Sequence, residues 1–408
     1  MKKKLLYFVN VSVLLLVGCS GVKPVRFKTS IDTTSRPIVF QDKKTYQLND
    51  VGVYVDNTFD GARLNGVEKI NDSTAILIIN PENLPINNSP YYAFQTWSND
   101  PKLFYFTFQY PIGYKHRYIP KIKKEGLWTI LDSTNIFKRD TIVTIKLTLS
   151  PSPITVAAQE IQSSKDVEQW YTKLIKGNEN LASIHSLGKT ALGRNLPVID
   201  LCKGNPKGKD IIVLLTRQHP PEVTGYYAFQ SFLETILDHS DLSNQFLEHY
   251  HLIVFPIMNP DGVDLGHWRH NSGGIDLNRD WSVYNQPEVR HAVEYIEKSL
   301  RKQKSKLVLG LDFHSTWYDI FYTNTDRANT ALPNFIDEWF KSLEEEIPKF
   351  KVKEAASNSD KPVSKGWFLY SHNAVGITYE IGDATPKDRI KTIGKVTAEQ
   401  MMRIMLTK

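Results

Sequence analysis

The 408-residue chain has two cysteines, Cys19 and Cys202. Cys19 closes a leader-like segment; if it carries lipid, only Cys202 is left, the mature chain can form no intramolecular disulfide, and core packing must hold the fold. A strong charge of one sign is missing too: the formal net charge is +6, and Lys2, Lys3 and Lys4 at the very start account for half of it. Without the basic stripe that reads a phosphate backbone, nucleic acid is excluded as a partner. Beyond Val17 no apolar run is long enough to span a bilayer, and there is neither an internal repeat nor a low-complexity tract.

What is present begins with the leader. Three lysines follow Met1, and a largely apolar run extends from Leu5 to Val17, a charged region and a hydrophobic region too short for an ordinary spanning helix. It ends in Leu16-Val17-Gly18-Cys19-Ser20. A small residue before a cysteine at that place resembles the bacterial lipobox, in which the cysteine is acylated and becomes the new N-terminus. The expectation is a signal peptide over residues 1–18 and lipidation at Cys19. The protein is then lipid-anchored to a membrane of the cell envelope, facing the periplasm or the surface. A plain signal peptide or an uncleaved anchor is the simpler reading, and each of the three takes the chain out of the cytoplasm.

Residues 19–36 read as a polar tether, and residues 37–160 as β structure. Arg36–Phe40, Gly52–Val55, Ala75–Ile79, Leu103–Phe108 and Thr141–Leu147 are short, rich in β-branched and aromatic residues, and separated by Asn, Asp, Gly and Pro. A small all-β sandwich supporting its neighbour is expected. Over residues 161–408 the period changes. Apolar strands at Val198–Leu201, Ile211–Leu215, Leu252–Pro256, Leu307–Leu311 and Gly376–Glu380 alternate with helical patterns at Val223–Leu237, Val289–Lys302, Leu332–Glu345 and Asp388–Leu406. Ser164–Lys176 is a further amphipathic stretch ahead of them. The alternation predicts an α/β domain with a mixed, largely parallel sheet and helices on both faces.

Four pieces of this second region carry chemistry. His219-Pro220-Pro221-Glu222 follows an apolar strand, and its prolines hold a turn, so an imidazole and a carboxylate can face one metal ion. His314, in Asp312-Phe313-His314-Ser315, stands at another strand end, where ligands collect in open α/β sheets. The tract from Asn259-Pro260-Asp261-Gly262 through Arg269 to Asp276-Leu277-Asn278-Arg279 sets two arginines and an asparagine in one Gly-rich loop, a match for a carboxylate. Glu380 ends a fourth strand, where partial burial would raise its pKa toward that of a general base. Taken singly, each has an ordinary alternative as a core histidine, a solvated arginine or a surface glutamate.

In this order the four resemble the M14 family of zinc metallocarboxypeptidases, over about residues 165–408. The Asn-Pro-Asp-Gly-Val to Asp-Leu-Asn-Arg-x-Trp block and the segment Phe104–Pro111 are similar to the cytosolic-carboxypeptidase-like branch, which also carries an N-terminal β-domain. The resemblance implies one zinc ion held by His219, Glu222 and His314, with Asp276 orienting His219 from behind. It makes Glu380 the general base acting on the zinc-bound water, Arg269 the stabiliser of the oxyanion, and Asn278 and Arg279 the grip on a C-terminal carboxylate. Lys365 falls where the family has the floor of its terminal side-chain pocket, and a cation there favours an acidic residue. A lysine solvated in a Lys/Ser-rich loop is the alternative.

Two features depart from the family pattern. No tyrosine lies in Ala355–Asp360, where the family places a substrate-binding one, and Tyr370 is out of register. A second proline also stands at 221, where glycine is common. Peptides or peptidoglycan stem peptides are the expected substrates. A deacylase acting on small N-acyl amino acids and a non-catalytic binding lipoprotein are the other readings, and the complete motif set weighs against both.

Overall fold

A computed structural model describes residues 21–408, so the leader and Cys19 lie outside the described residues. Residues 22–36, expected as a tether, run extended along the α/β domain. The Val25, Thr29 and Arg36 amides donate to the carbonyls of Ser282, Asp360 and Gly273 at 3.0, 2.8 and 2.8 Å. The expected strand over Arg36–Phe40 does not form. Its amides at Arg36 and Val39 are taken by the Gly273 and Glu82 carbonyls, which belong to loops, and no ladder can grow from them.

Eleven strands then build the β-domain: β1 (Thr45–Leu48), β2 (Val53–Asp56), β3 (Gly66–Asn71), β4 (Thr74–Ile78), β5 (Ala93–Ser98), β6 (Lys102–Gln109), β7 (Lys121–Lys124), β8 (Leu127–Ile130), β9 (Ile136–Arg139), β10 (Ile142–Leu149) and β11 (Ile154–Ala157). One sheet has the order β1-β2-β5-β11-β7-β8 and is antiparallel, the other the order β3-β4-β6-β10-β9, with β4 and β6 parallel. Strict alternation along β6 turns Phe104, Phe106 and Phe108 inward. They meet Val53, Val55, Phe94 and Val156 of the first sheet, with the rings of Phe94 and Phe106 edge-on at 5.9 Å. The two sheets thus close on one aromatic core, a sandwich.

The second domain opens with α1 (Ser164–Ile175), whose Ser163 and Asp166 form a capping box. It continues through β12 (Ala182–Lys189), β13 (Asn195–Leu201), β14 (Asp210–Thr216), α2 (Val223–Ile236), α3 (Asp241–His249), β15 (Tyr250–Phe255), α4 (Pro260–Asp264) and α5 (Pro287–Gln303). The last elements are β16 (Leu307–Thr316), β17 (Ile320–Thr323), α6 (Phe335–Glu346), β18 (Glu354–Ala356), α7 (Ser364–His372), β19 (Val375–Gly382) and α8 (Lys387–Met405). The sheet order is β12-β13-β15-β14-β16-β19-β17-β18, mixed at its edges and parallel through β15, β14, β16 and β19. Those central strands are buried on both faces, under α2, α3, α6 and α8 on one side and α5 and α7 on the other. None of the described helices is long and apolar enough to cross a membrane.

Because the four central strands are parallel, their C-terminal ends share one edge of the sheet, and the chemistry-bearing residues leave from there. Gly225, in the first turn of α2, lets that helix sit directly on β16. A Cβ at this position would lie 2.1 Å from the His314 carbonyl oxygen. The segment holding Lys365, expected as a loop, is the first turn of α7. Its sequence has little amphipathic period; the helix is held by Trp367 and Phe368, buried against β16.

Candidate active site

The chain leaves β14 through Arg217, held at φ +57°, and the turn at Pro220 and Pro221 brings His219 and Glu222 to face β16. Glu222 stands at the N-cap of α2, yet its carboxylate caps nothing. Instead its two oxygens lie 2.8 Å from His219 Nδ1 and 2.6 Å from His314 Nδ1, and the two ring nitrogens are 3.2 Å apart. The start of α2 is pinned to β16 by the Gly225 amide donating to Ser315 Oγ at 2.8 Å. That bond fixes Glu222 against His314.

Behind the histidines stand two carboxylates. Asp276 Oδ1 accepts from His219 Nε2 at 2.9 Å, and Asp312 Oδ2 sits 2.7 Å from His314 Nε2. With each outer nitrogen donating, each Nδ1 turns a lone pair inward, toward the carboxylate of Glu222. With those tautomers, three donor atoms converge on one point, which a proton or a metal ion can occupy. Desolvation opposes a charge on His314, but Asp312 and Glu222 outweigh it and push its pKa well up. The cluster demands a cation.

Two imidazoles and one carboxylate, all buried and with donor atoms within 4.8 Å of one another, fit zinc with an open fourth position. Asp276 was legible as the brace of His219. Asp312 was overlooked, although an Asp two residues before a strand histidine shares its face.

Glu380 pairs in register with His314 across β19 and β16. Its side chain is partly buried, its Oε2 has no protein partner, and burial, with Glu222 nearby, raises its pKa to about 8. Arg269 Nε donates to Asp276 Oδ2 at 2.7 Å, and Arg279 Nη1 stands 3.8 Å from the same oxygen. Asp276 therefore organises a metal ligand and two cations at once. Asn278 lies against His314, its Nδ2 3.4 Å from Nε2, while its Oδ1 accepts from the Ser364 amide at the start of α7.

All eight residues expected to touch metal or substrate line one cleft of about 650 Å³: His219, Glu222, Arg269, Asn278, Arg279, His314, Lys365 and Glu380. Lys365 is buried rather than solvated, with its Nζ donating to the carbonyls of Thr323 and Ser357 at 2.7 and 2.6 Å. Burial lowers its pKa to about 8.

Residues 167–400 match the family model described as zinc carboxypeptidase. The chain belongs to the zinc carboxypeptidase family. Among curated relatives, cytosolic carboxypeptidase 2 of Danio rerio is 42% identical over 197 residues, 45% of this chain and 27% of that protein. Cytosolic carboxypeptidase 6 of Mus musculus is 26% identical over 157 residues, 36% of this chain and 29% of that one. The similarity thus spans less than a third of either relative.

Among solved structures, the metallo-carboxypeptidase from Burkholderia cenocepacia superposes with a TM-score of 0.71 at 16% identity, covering 87% of this chain and 99% of that one. The metallo-carboxypeptidase from Pseudomonas aeruginosa, in complex with (2-guanidinoethylmercapto)succinic acid, gives 0.67 at 18% identity, covering 86% and 98%. At these identities the likeness is one of fold, and it extends over both domains. The cofactor of this zinc carboxypeptidase is one zinc ion, and His219, Glu222 and His314 are the group that fits it.

Two parts of the cleft, and a residue that shapes it from outside, were absent from the sequence-based expectations. Tyr322, on β17, lines it where the loop before α7 offers no tyrosine. Tyr370 points elsewhere, its hydroxyl donating to the Ser359 carbonyl at 3.1 Å. The β-domain supplies Asn87, Asn88, Ser89 and Arg117 to the wall. It also supplies Glu82, whose carboxylate accepts the amides of Trp268, Arg269 and His270 at 2.8, 3.0 and 2.6 Å. The loop carrying Arg269 is thus shaped from the other domain, and the β-domain is more than a support.

Proposed function

We propose that this zinc carboxypeptidase hydrolyses the C-terminal amide bond of peptides, with Glu380 as its acid and base. The observation that carries the reading is the juxtaposition, in one cleft, of the His219–Glu222–His314 donor set, the unpartnered Glu380 carboxylate and the Arg269, Asn278 and Arg279 group. Zinc held by His219, Glu222 and His314 would supply Lewis acidity at the scissile carbonyl and make the attacking water more acidic. Glu380, with its carboxyl group poised near neutrality, takes a proton from the attacking water and returns it to the leaving amine. Arg269, fixed by Asp276, faces the oxygen on which charge develops, and because it is held in advance it needs no reorganisation.

Asn278 and Arg279 take the terminal carboxylate, which restricts cleavage to the last residue of a chain. Lys365 closes the side-chain pocket with a third N–H left to donate, favouring an acidic terminal residue. Tyr322 takes the place of the missing loop tyrosine at the mouth. Deacylation of small N-acyl amino acids would leave the long cleft and its β-domain wall unused. Zinc content of the purified protein, with hydrolysis assays on C-terminally varied peptides and on stem peptides, tests the reading. One zinc per chain and stepwise loss of C-terminal residues, abolished in Glu380→Gln, support it. A zinc-free protein, or turnover that survives Glu380→Gln, overturns it.

The lipid anchor at Cys19 and the envelope location belong to the same proposal. Wild-type protein in the membrane fraction and Cys19→Ser in the soluble fraction are the expected outcome.

A further inference from the structure

A second cavity, of about 490 Å³, adjoins the zinc cleft, and Arg117 and Trp317 wall both. The β7–β8 hairpin and the segment leading into it form one side, with Ile119, Trp128 and Ile130. Tyr227 of α2, and Pro386 and Ile390 at the start of α8, form the other. Ile119, Ile130 and Trp317 are 47%, 62% and 58% exposed around this opening, large apolar side chains that gain if something covers them.

Most polar groups of the rim are already spent on one another, Asp383 Oδ1 being left without a partner. Glu160 takes Lys387 and the Tyr227 hydroxyl, and Gln159 takes Lys121 and donates to the Asp383 carbonyl. Arg117 is fixed at the junction, donating to Asp383 at 2.8 Å and to Ser89 Oγ at 2.9 Å, with its guanidinium 5.1 Å from the Trp317 ring. The cavity therefore offers apolar faces, and its volume lies in the range of roughly 300–1,000 Å³ that holds a sizeable organic group.

Its place relative to the zinc cleft decides the occupant. Arg269 and Arg279 border the cleft on one flank, where a shallower hollow adjoins it. The apolar cavity borders the other, reached through Ser315, Thr316 and Trp317, the residues that follow the ligand His314. The two hollows share no lining residue, whereas the apolar cavity and the cleft share Arg117 and Trp317, so a peptide with its carboxylate on the arginine flank can reach the apolar cavity past Trp317. We infer that the interdomain cavity is the subsite for residues upstream of the scissile bond, and that it selects peptides carrying bulky apolar or aromatic side chains there. The inference rests on the carboxypeptidase reading and narrows it: stem peptides, made of small and charged residues, leave the cavity unfilled.

The test uses two peptides with the same C-terminal pair, one with Phe-Leu and the other with Ala-Ala immediately upstream. For the wild type, kcat/KM is expected to favour the apolar peptide by about tenfold. In Ile130→Ser and in Trp317→Ser, both at exposed positions outside the core, the ratio falls to within about twofold. The same peptides, fluorescently labelled, should show the same ratio in Kd on zinc-loaded Glu380→Gln protein. Equal kcat/KM for the two peptides in the wild type, or a preference retained in both variants, overturns the subsite. Failure of the wild type to hydrolyse either peptide overturns the hydrolase reading instead, and the Kd ratio then decides the subsite by itself.

Discussion

The zinc end of the cleft and its interdomain end are held by different kinds of force. At the zinc end, Asp276 and Asp312 brace His219 and His314 at 2.9 and 2.7 Å, and Arg269 is tied to Asp276 at 2.7 Å. Their positions derive from parallel strands that the core packs on both faces. At the interdomain end, Ile119, Ile130 and Trp317 stand exposed on a hairpin and a loop, and Arg117 is tied to Asp383 at the junction with the cleft. Chemistry tolerates little displacement of reacting groups, whereas apolar recognition tolerates more. The proposed catalytic groups accordingly sit on the doubly covered parallel strands and the turns that follow them, and the proposed recognition surface where two domains meet.

The sharpest way to break this contrast is at Glu380. Glu380→Gln should keep the bound zinc, measured by metal analysis, and lose about 10³-fold in kcat. Equal losses from Glu380→Gln and from a cavity variant such as Ile130→Ser would erase the distinction between the two ends.

Glu82 ties the β-domain to the Arg269 loop, and its removal should rank next. Glu82→Gln takes a buried carboxylate from three amides and from the neighbourhood of Arg63, which should cost about 3 kcal/mol in urea unfolding. The Arg269 loop would loosen with it, so kcat/KM should fall in a protein that still binds zinc. An unchanged unfolding midpoint would show that the two domains are energetically independent.

Asp276→Asn tests the brace on the zinc side, with zinc affinity expected to fall by about 10–100-fold in chelator competition. Lys365 carries the smallest effect. Its ammonium is charged below about pH 8 and neutral above, so preference for a C-terminal Glu over Leu should decline as pH rises through that value. In Lys365→Met the preference, about tenfold, should be absent at every pH.

The same contrast explains what could be read from the amino-acid order. His219, Glu222, His314 and Glu380 each sit just beyond or within a strong apolar run, but singly these signals were weak, and it was their joint order, resembling the M14 family, that picked them out. Lys365 lines the cleft from a helix rather than a loop: α7 is a helix because Trp367 and Phe368 are buried, which its weak period does not show. Tyr322 was invisible because β17 reaches the cleft through antiparallel pairing with β19, a register no local pattern encodes. Glu82 and Arg117 act across the domain boundary, with partners 186 and 266 residues away, and nothing in their own segments marks that contact. The strand expected over Arg36–Phe40 failed for the same reason, since its hydrogen bonds were claimed by distant loops.

The central claim is that Arg269, Asn278 and Arg279 make the zinc site read a free C-terminus. The most direct measurement is time-resolved mass spectrometry of one peptide, offered with a free C-terminal carboxylate and with a C-terminal amide, to the zinc-loaded wild-type protein. The account predicts a ladder losing one residue at a time from the free acid and no products from the amide. Internal cleavage, or equal digestion of the two, would contradict it.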